Sequence, residues 1–211
     1  MLAVDGLVVT YRKGGEPLFD GLSHHFSDAS ITAVTGPSGR GKSTLLYVLG
    51  LLLRPTRGRV LLDGVAVDQV RDATRSRLRA TTFGFIFQDA SLDTSRTIED
   101  GVVEPALYAG SRRAEVLPVA RRLLTELGVV ARADHLPGEI SGGQAQRVAV
   151  CRALVNDPRV ILADEPTGNL DRDNARIVLD ALRDATSSGR TVVVATHDPF
   201  VLDYADEVLR L

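Results

Sequence analysis

GPSGRGKS, residues 36–43, matches the spacing G-x-x-x-x-G-K-S, with Gly36, Gly41, Lys42 and Ser43 on the fixed positions. The apolar run Ile31–Val34 precedes it and the helix-like run Thr44–Leu53 follows, so the octapeptide reads as a strand-to-helix turn. Such a turn, through Pro37, Ser38, Gly39 and Arg40, points successive backbone N–H groups at a chain of phosphates. Glycine at the tight places lets the backbone approach without a clashing Cβ. The helix that follows, starting near Lys42, Ser43 and Thr44, adds the positive end of its dipole. Lys42 is placed to reach the outer phosphates of a triphosphate, and the Ser43 hydroxyl to sit on Mg²⁺. A plain glycine-rich strand-to-helix turn is the alternative.

Length and composition bound the rest. A chain of 211 residues has room for one well-buried domain with a small subdomain, and 44% hydrophobic with 25% charged residues is a globular composition. The formal net charge of −2 gives no electrostatic support for a nucleic-acid partner. The one cysteine, Cys151, permits no internal disulfide and sits among Val148, Val150 and Leu154, as a packed thiol would. No apolar stretch approaches the roughly 20 residues of a membrane span. The N-terminus carries an early acid and no basic region, so it does not read as a signal peptide. The expectation is a cytoplasmic protein.

Short apolar runs alternate with helical patterns, which predicts an α/β fold with a largely parallel sheet. Strands are expected at Leu2–Tyr11, Ile31–Val34, Gly58–Leu62, Phe83–Phe87, Val160–Ala163, Val192–Thr196 and Val208–Leu211. Helices are expected at Lys42–Leu53, Arg75–Ala80, Arg112–Leu127, Gly142–Asn156 and Asp173–Ser188. Ser141 reads as an N-cap with Gln144 in a capping box, and Gly189 as a helix C-terminal glycine. From about residue 88 to 156 the pattern is mostly helical, as for a lobe inserted into a core formed by 1–87 and 157–211, the whole being a single domain.

RVILADE, residues 159–165, ends an apolar strand on two acids. Ligands of open α/β sheets gather at the carboxyl ends of the strands. Asp164 is therefore assigned to Mg²⁺ opposite Ser43, and Glu165 to polarising the attacking water as a general base. An ordinary strand end with exposed acids is the alternative. ISGGQAQRVAVCRAL, residues 140–154, places a Ser-Gly-Gly at a helix start, a second cradle for a phosphate-sized anion or a simple capped turn.

With these motifs together, the whole chain resembles the nucleotide-binding subunits of ABC transporters. The resemblance implies a P-loop NTPase core with a parallel sheet, an antiparallel β subdomain and a helical subdomain, and an ATPase that uses ATP and Mg²⁺. It implies that Ser141, Gly142, Gly143 and Gln144 form the signature loop facing the ATP of an opposite subunit. Gln88, in GFIFQD, resembles the Q-loop glutamine that touches Mg²⁺ and water and reports to the membrane partner. Asp171, in GNLD, resembles the D-loop aspartate at the dimer interface. His197, in VVVATHD, resembles the switch histidine at the γ-phosphate, and Tyr11 the aromatic residue stacked on adenine. Each position has a plainer explanation: a polar strand end for Gln88, a helix N-cap for Asp171 (compatible with the first role), a neutral imidazole after a buried strand for His197, and an ordinary strand tyrosine for Tyr11. His24, His25 and His135 fall on no motif and are expected on solvated faces.

ADEPTGNLD and SRTIEDGVVEPALYAG are similar to the subfamily serving lipoprotein release, macrolide or peptide export and cell division. That implies a dimer, with itself or a related ATPase subunit, at the inner face of the membrane on an integral-membrane permease. Export of a lipophilic compound, peptide or lipoprotein is the expected task. The rivals are an ATPase signalling to a membrane partner without transport, and a soluble DNA-repair or translation ATPase. Departures from the pattern include Ile140 for the usual Leu, Arg40 at a place more often small, and Asp28-Ala29-Ser30 where Gly is common. None removes a catalytic group. The stretch Asp89 to Gly110 is expected to receive the permease, with Asp93 and Glu99 as exposed positions and Leu92, Ile98, Val102, Val103 and Leu107 shared between groove and core.

Overall fold

In a computed structural model that describes residues 1–11 and 15–211, the chain runs in the order β1 (Leu2–Val8), β2 (Leu22–Phe26), β3 (Ile31–Thr35), α1 (Lys42–Leu49), β4 (Arg57–Leu62), β5 (Val65–Ala66), α2 (Asp72–Thr82) and β6 (Phe83–Ile86). It continues with α3 (Ile98–Tyr108), α4 (Arg113–Glu126), α5 (Gly142–Leu154), β7 (Val160–Asp164), α6 (Arg172–Ser187), β8 (Thr191–Ala195), α7 (Pro199–Leu202) and β9 (Glu207–Arg210). Short 3-10 turns at Val130–Arg132 and Pro137–Glu139 lie between α4 and α5.

Five strands form a parallel sheet in the order β6-β7-β8-β3-β9. Every residue of β7 and β8 is buried, as the unbroken apolar runs demand of strands covered on both faces. Their side chains alternate between two cores. Ile161, Ala163, Val192 and Val194 join the cluster built with α3, α4, α5 and α6, while Val160, Leu162, Val193 and Ala195 join that of α1 and β1. Removing a side chain such as Leu162, 1% exposed, would cost about 2–5 kcal/mol.

The second sheet is antiparallel, in the order β2-β1-β4-β5, and α1 lies between the two sheets through Leu45, Leu46, Val48 and Leu49. Between β6 and β7 the chain is helical. Its α3 and α4 pack on each other and on α5, with Ile98, Val102, Val103 and Leu124 fully buried. On α6, Ala175, Val178, Leu179, Leu182 and Ala185 recur at helical spacing and face the core.

Several expectations need correction. β1 ends at Val8 rather than Tyr11, and α1 ends at Leu49 rather than Leu53, because Gly50 is followed by Leu51 at φ 60. Strands β2 and β5 were not expected. His24, on β2, is not on a solvated face: its Nε2 is buried without a partner, and burial first of all pushes the imidazole pKa down. Glu99 is not exposed either. It is 5% exposed and ion-paired to Arg121 at 2.5 Å and to Arg113 at 3.6 Å. Ala29 adopts φ 55, which accounts for glycine being the easier residue in that turn.

Candidate active site

Sheet order assembles the site. β3, β8 and β7 are neighbours, and Val34 pairs with Ala195, which pairs with Asp164. The three carboxyl ends therefore lie side by side at the roughly 4.8 Å spacing of adjacent strands. They release, respectively, the loop 36–41, the segment Thr196–His197, and Asp164–Glu165.

The loop turns by positive φ at Gly36 (150), Gly39 (83) and Gly41 (93). Gly41 is the N-cap of α1, with no side-chain capping bond and no acid in the first turn. The first N–H groups of α1 are thus left facing whatever anion the loop holds. The Lys42 ammonium reaches back over the loop, donating to the carbonyls of Gly36 at 2.9 Å and Pro37 at 3.4 Å. Pro37, Ser38, Gly39 and Arg40 are exposed along its rim, whereas Thr44 is buried at its base. Tyr11 comes to the same place: its hydroxyl lies 2.7 Å from Thr44 Oγ1, and its ring is 65% exposed above the loop.

Asp164 is 8% exposed. Burial pushes its carboxyl above the usual carboxylate range, an effect opposed by the adjacent Ser43 hydroxyl and reinforced by the Glu165 charge. The Lys42 charge also acts on this carboxyl, in the lowering direction. A hydroxyl beside a largely buried carboxylate suits Mg²⁺, a hard ion that takes one or two protein oxygens and fills its shell with phosphate and water. Glu165 sits at φ 44, a strained conformation for a non-glycine residue, which turns its carboxylate off the line of β7. Oε1 lies 2.6 Å from His197 Nδ1, and Oε2 accepts from the Thr196 hydroxyl at 3.2 Å. Thr196 in turn accepts from the Asp198 N–H at 3.0 Å, so the end of β8 clamps both residues.

The remaining predicted residues form a second group. Ser141 caps α5, its hydroxyl accepting from the Gln144 N–H at 3.2 Å while Gln144 Oε1 accepts from the Ser141 N–H at 2.9 Å. Gly142 and Gly143 follow; a Cβ on Gly143 would meet Asn174 Cγ at 2.8 Å, so α5 and α6 touch here without room for a side chain. Asp171 caps α6, accepting from the Asn174 N–H at 2.8 Å, and that backbone bond leads the causes that hold its carboxyl below the usual range. Gln88 is exposed at the far side of a cavity of about 210 Å³ that it lines with Gly142, Asn169 and Leu170. Among the described residues no hydrogen bond joins Ser141–Gln144 to the loop 36–43. Asn174 joins the two helix starts: it bonds to Asp171 and lies against Gly143.

Several contributors escaped the sequence reading. Thr196 holds Glu165. Arg172 pairs with Asp198 at 2.9 Å and lies 4.7 Å over the Phe200 ring, tying the start of α6 to the residue after His197. The string T-H-D marked Thr196 in principle; nothing in the local sequence marked Arg172.

A strand, a glycine loop and a helix, with a carboxylate pair at the end of the second strand over, define a P-loop ATPase, and the capped Ser-Gly-Gly helix with its antiparallel β subdomain places it among the ATP-binding cassettes. The family model described as "ABC transporter" matches residues 19–168, and the chain belongs to that family. It is the ATP-binding and ATP-hydrolysing module of an ABC transporter. Across its whole length it is 39% identical to the lipoprotein-releasing system ATP-binding protein LolD 1 of Rhodospirillum rubrum, covering 94% of that protein. It is 45% identical over 192 residues, 91% of this chain, to the macrolide export ATP-binding/permease protein MacB of the same organism. The chain spans 30% of the length of that relative. Among solved structures, the dimeric structure of the bacterial ABC transporter cassette MJ0796 superposes with a TM-score of 0.92 at 32% identity, covering 100% of this chain and 94% of that one. A second MJ0796 structure, a dimer in a post-hydrolysis state bound to ADP and Pi, gives a TM-score of 0.90 at 31% identity, covering the same shares.

Proposed function

We propose that this chain, a single cassette domain with a helical lobe at about 88–156, hydrolyses ATP to drive a separate integral-membrane permease that exports a lipophilic compound, peptide or lipoprotein. The observation that supports this most is the register Val34–Ala195–Asp164, because it gathers a phosphate cradle, a carboxylate pair and a histidine at one edge of the sheet. The loop 36–43 and α1 would hold the triphosphate through backbone N–H groups, with Lys42 supplying positive charge and Tyr11 the surface on which adenine stacks. Ser43, Asp164 and Gln88 would hold Mg²⁺, which when bound neutralises phosphate charge.

In the hydrolytic step, Glu165 takes a proton from water as the water oxygen bonds to the γ-phosphorus. The bond from that phosphorus to the bridging oxygen breaks, and ADP leaves with the electron pair. His197, held on Glu165 Oε1, keeps the carboxylate aimed and turns its other ring nitrogen to the γ-phosphate. Ser141, Gly142, Gly143 and Gln144, at the capped start of a helix with free N–H groups, would serve the nucleotide of a second subunit in a head-to-tail dimer, identical or related, with Asp171 at the interface.

Among the described residues no helix is long and apolar enough to cross a membrane. We place the chain in the cytoplasm, held at the inner face of the membrane by its permease. Asp89 to Gly110 is the docking stretch, through Leu92, Leu107 (40% exposed) and Tyr108 (75% exposed); Ile98, Val102 and Val103 belong to the core. Cysteines introduced at Asp93 and Tyr108 should cross-link to a membrane protein in native membranes. Absence of any membrane-protein adduct from both positions would refute the docking assignment.

A further inference from the structure

The loop after β6 contains two consecutive non-glycine residues in the left-handed region, Ala90 at φ 60 and Ser91 at φ 46. Ala90 is also 4% exposed, so the strain sits under the surface and not in a free turn. Left alone, such a pair would relax toward ordinary backbone angles. Three local bonds oppose that: Ala90 N–H to Phe87 O at 3.1 Å, Ser91 N–H to Asp89 O at 2.7 Å, and the Ser91 hydroxyl to Asp89 Oδ1 at 2.9 Å. The remaining restraint comes from the last turn of α5. Arg152 donates through Nη2 to Ala90 O at 2.8 Å and through Nη1 to Ser91 O at 2.7 Å, gripping both strained residues with one planar fork.

Helix α5 also holds the near end of the same loop, where Gln146 Nε2 donates to Phe87 O at 3.2 Å. Gln88 and Asp89 are thus bracketed by two side chains of a single helix. That helix packs hard on β6: a Cβ on Gly84 would meet Ala153 O at 2.4 Å, so strand and helix cannot slide past each other without separating. At its other end, about 16 Å along the axis from Arg152, it carries Ser141.

We propose that Arg152 is a positioning residue that holds the 88–91 loop in its strained form, and so makes the Gln88 loop and the signature serine of the same subunit move as one body. The proposal rests on Gln88 acting at the nucleotide, as argued above. When a permease element pushes on the loop, the displacement passes through the Arg152 fork into α5 and out to Ser141, which faces the other subunit's ATP. Loss of the fork lets the loop relax and leaves Gln88 misplaced while the phosphate loop is untouched.

Amide hydrogen exchange and steady-state ATPase measurements on the full chain with Mg²⁺ test this. Arg152→Met keeps the length of the side chain and removes the fork. The Ala90 and Ser91 amides should then exchange about tenfold faster or more, since the charge-assisted bonds that restrain them are gone. Turnover should fall about fivefold with KM for ATP within twofold, a loss in the reacting state and not in binding. Adding Ala90→Gly and Ser91→Gly to Arg152→Met should restore at least about half of the lost turnover, because glycine holds the left-handed angles without strain. A role in packing α5 alone would not be rescued at those positions. If Arg152→Met does not fold, Arg152→Lys, which can reach one carbonyl, should give intermediate exchange. Wild-type exchange in whichever of these variants folds, or failure of the glycines to rescue, overturns the proposal. Gln88→Ala separates the two claims: if it leaves turnover and Mg²⁺ dependence unchanged, the Gln88 assignment fails, and the exchange data still decide what Arg152 does.

Discussion

Replacing Glu165 by Gln changes one atom and removes one charge, and the surroundings of the carboxylate set the size of the effect. If Glu165 only completes hydrogen bonds, its partners are His197 at 2.6 Å and Thr196 at 3.2 Å. A glutamine oxygen can still accept from one of them, so the loss would stay near one hydrogen bond to a charged group, about 1.5–3 kcal/mol, or roughly 10- to 150-fold in rate. If Glu165 is the general base, the loss is the whole proton-transfer contribution, about 10²–10⁴-fold, or about 2.7–5.4 kcal/mol. The two ranges meet near 10²-fold, so a loss of about 10³-fold or more is beyond what hydrogen bonding alone supplies. ATP affinity should hold or improve, because a negative charge leaves the neighbourhood of the triphosphate while Lys42 and the start of α1 remain. The closed dimer should therefore accumulate. Phosphate release measures the first effect and light scattering with Mg·ATP the second. Hydrolysis within tenfold of the wild type, or a chain that stays monomeric with ATP, would refute the base assignment.

Other substitutions probe the rest of the account. Asp164→Asn should raise Tm without Mg²⁺ near pH 7 and abolish the further stabilisation by Mg·ATP, seen in thermal melts with and without the ion. The sign follows from burial: Asp164's folded pKa is raised, so the native state binds its proton more tightly. The contribution of this group to stability thus falls as pH rises from the ordinary aspartate value through the raised one, and in the Asn variant that portion of the pH dependence should vanish. Ala29→Gly relieves φ 55 and should raise Tm by about 1–3 °C, with activity unchanged. Asp93→Arg, on the exposed docking stretch, should cut permease-coupled transport at least about fivefold while basal hydrolysis stays within twofold, read by transport in vesicles beside ATPase rates.

The parallel sheet and the gathering of the candidate site's residues were legible because they rest on local patterns: unbroken apolar runs at β7 and β8, the glycine spacing at 36–43, and acids at a strand end. The capping box at Ser141–Gln144 and the N-cap at Asp171 were legible for the same reason. β2 was hidden because Ser23, His24 and His25 break the apolar alternation, and only the sheet partners Val4 and Ala3 make LSHHF a strand. α3 was blurred by Gly101 and Pro105 within it. The buried state of Glu99 depends on Arg121, a residue on another helix. Arg152 and Arg172 act through bonds to distant backbone or side chains, and no spacing within the sequence announces such partners.

Mg·ATP binding and hydrolysis by the purified chain and its Lys42→Ala variant test the central claim most directly. The Lys42 ammonium is already drawn over the phosphate loop, onto the carbonyls of Gly36 and Pro37, where it is the principal point charge available to a bound triphosphate. Wild-type protein should bind Mg·ATP and turn it over slowly, and Lys42→Ala should bind at least about 100-fold more weakly, a loss of about 2.7 kcal/mol, with no measurable turnover. A Lys42→Ala protein that folds and binds ATP with unchanged affinity would contradict the account.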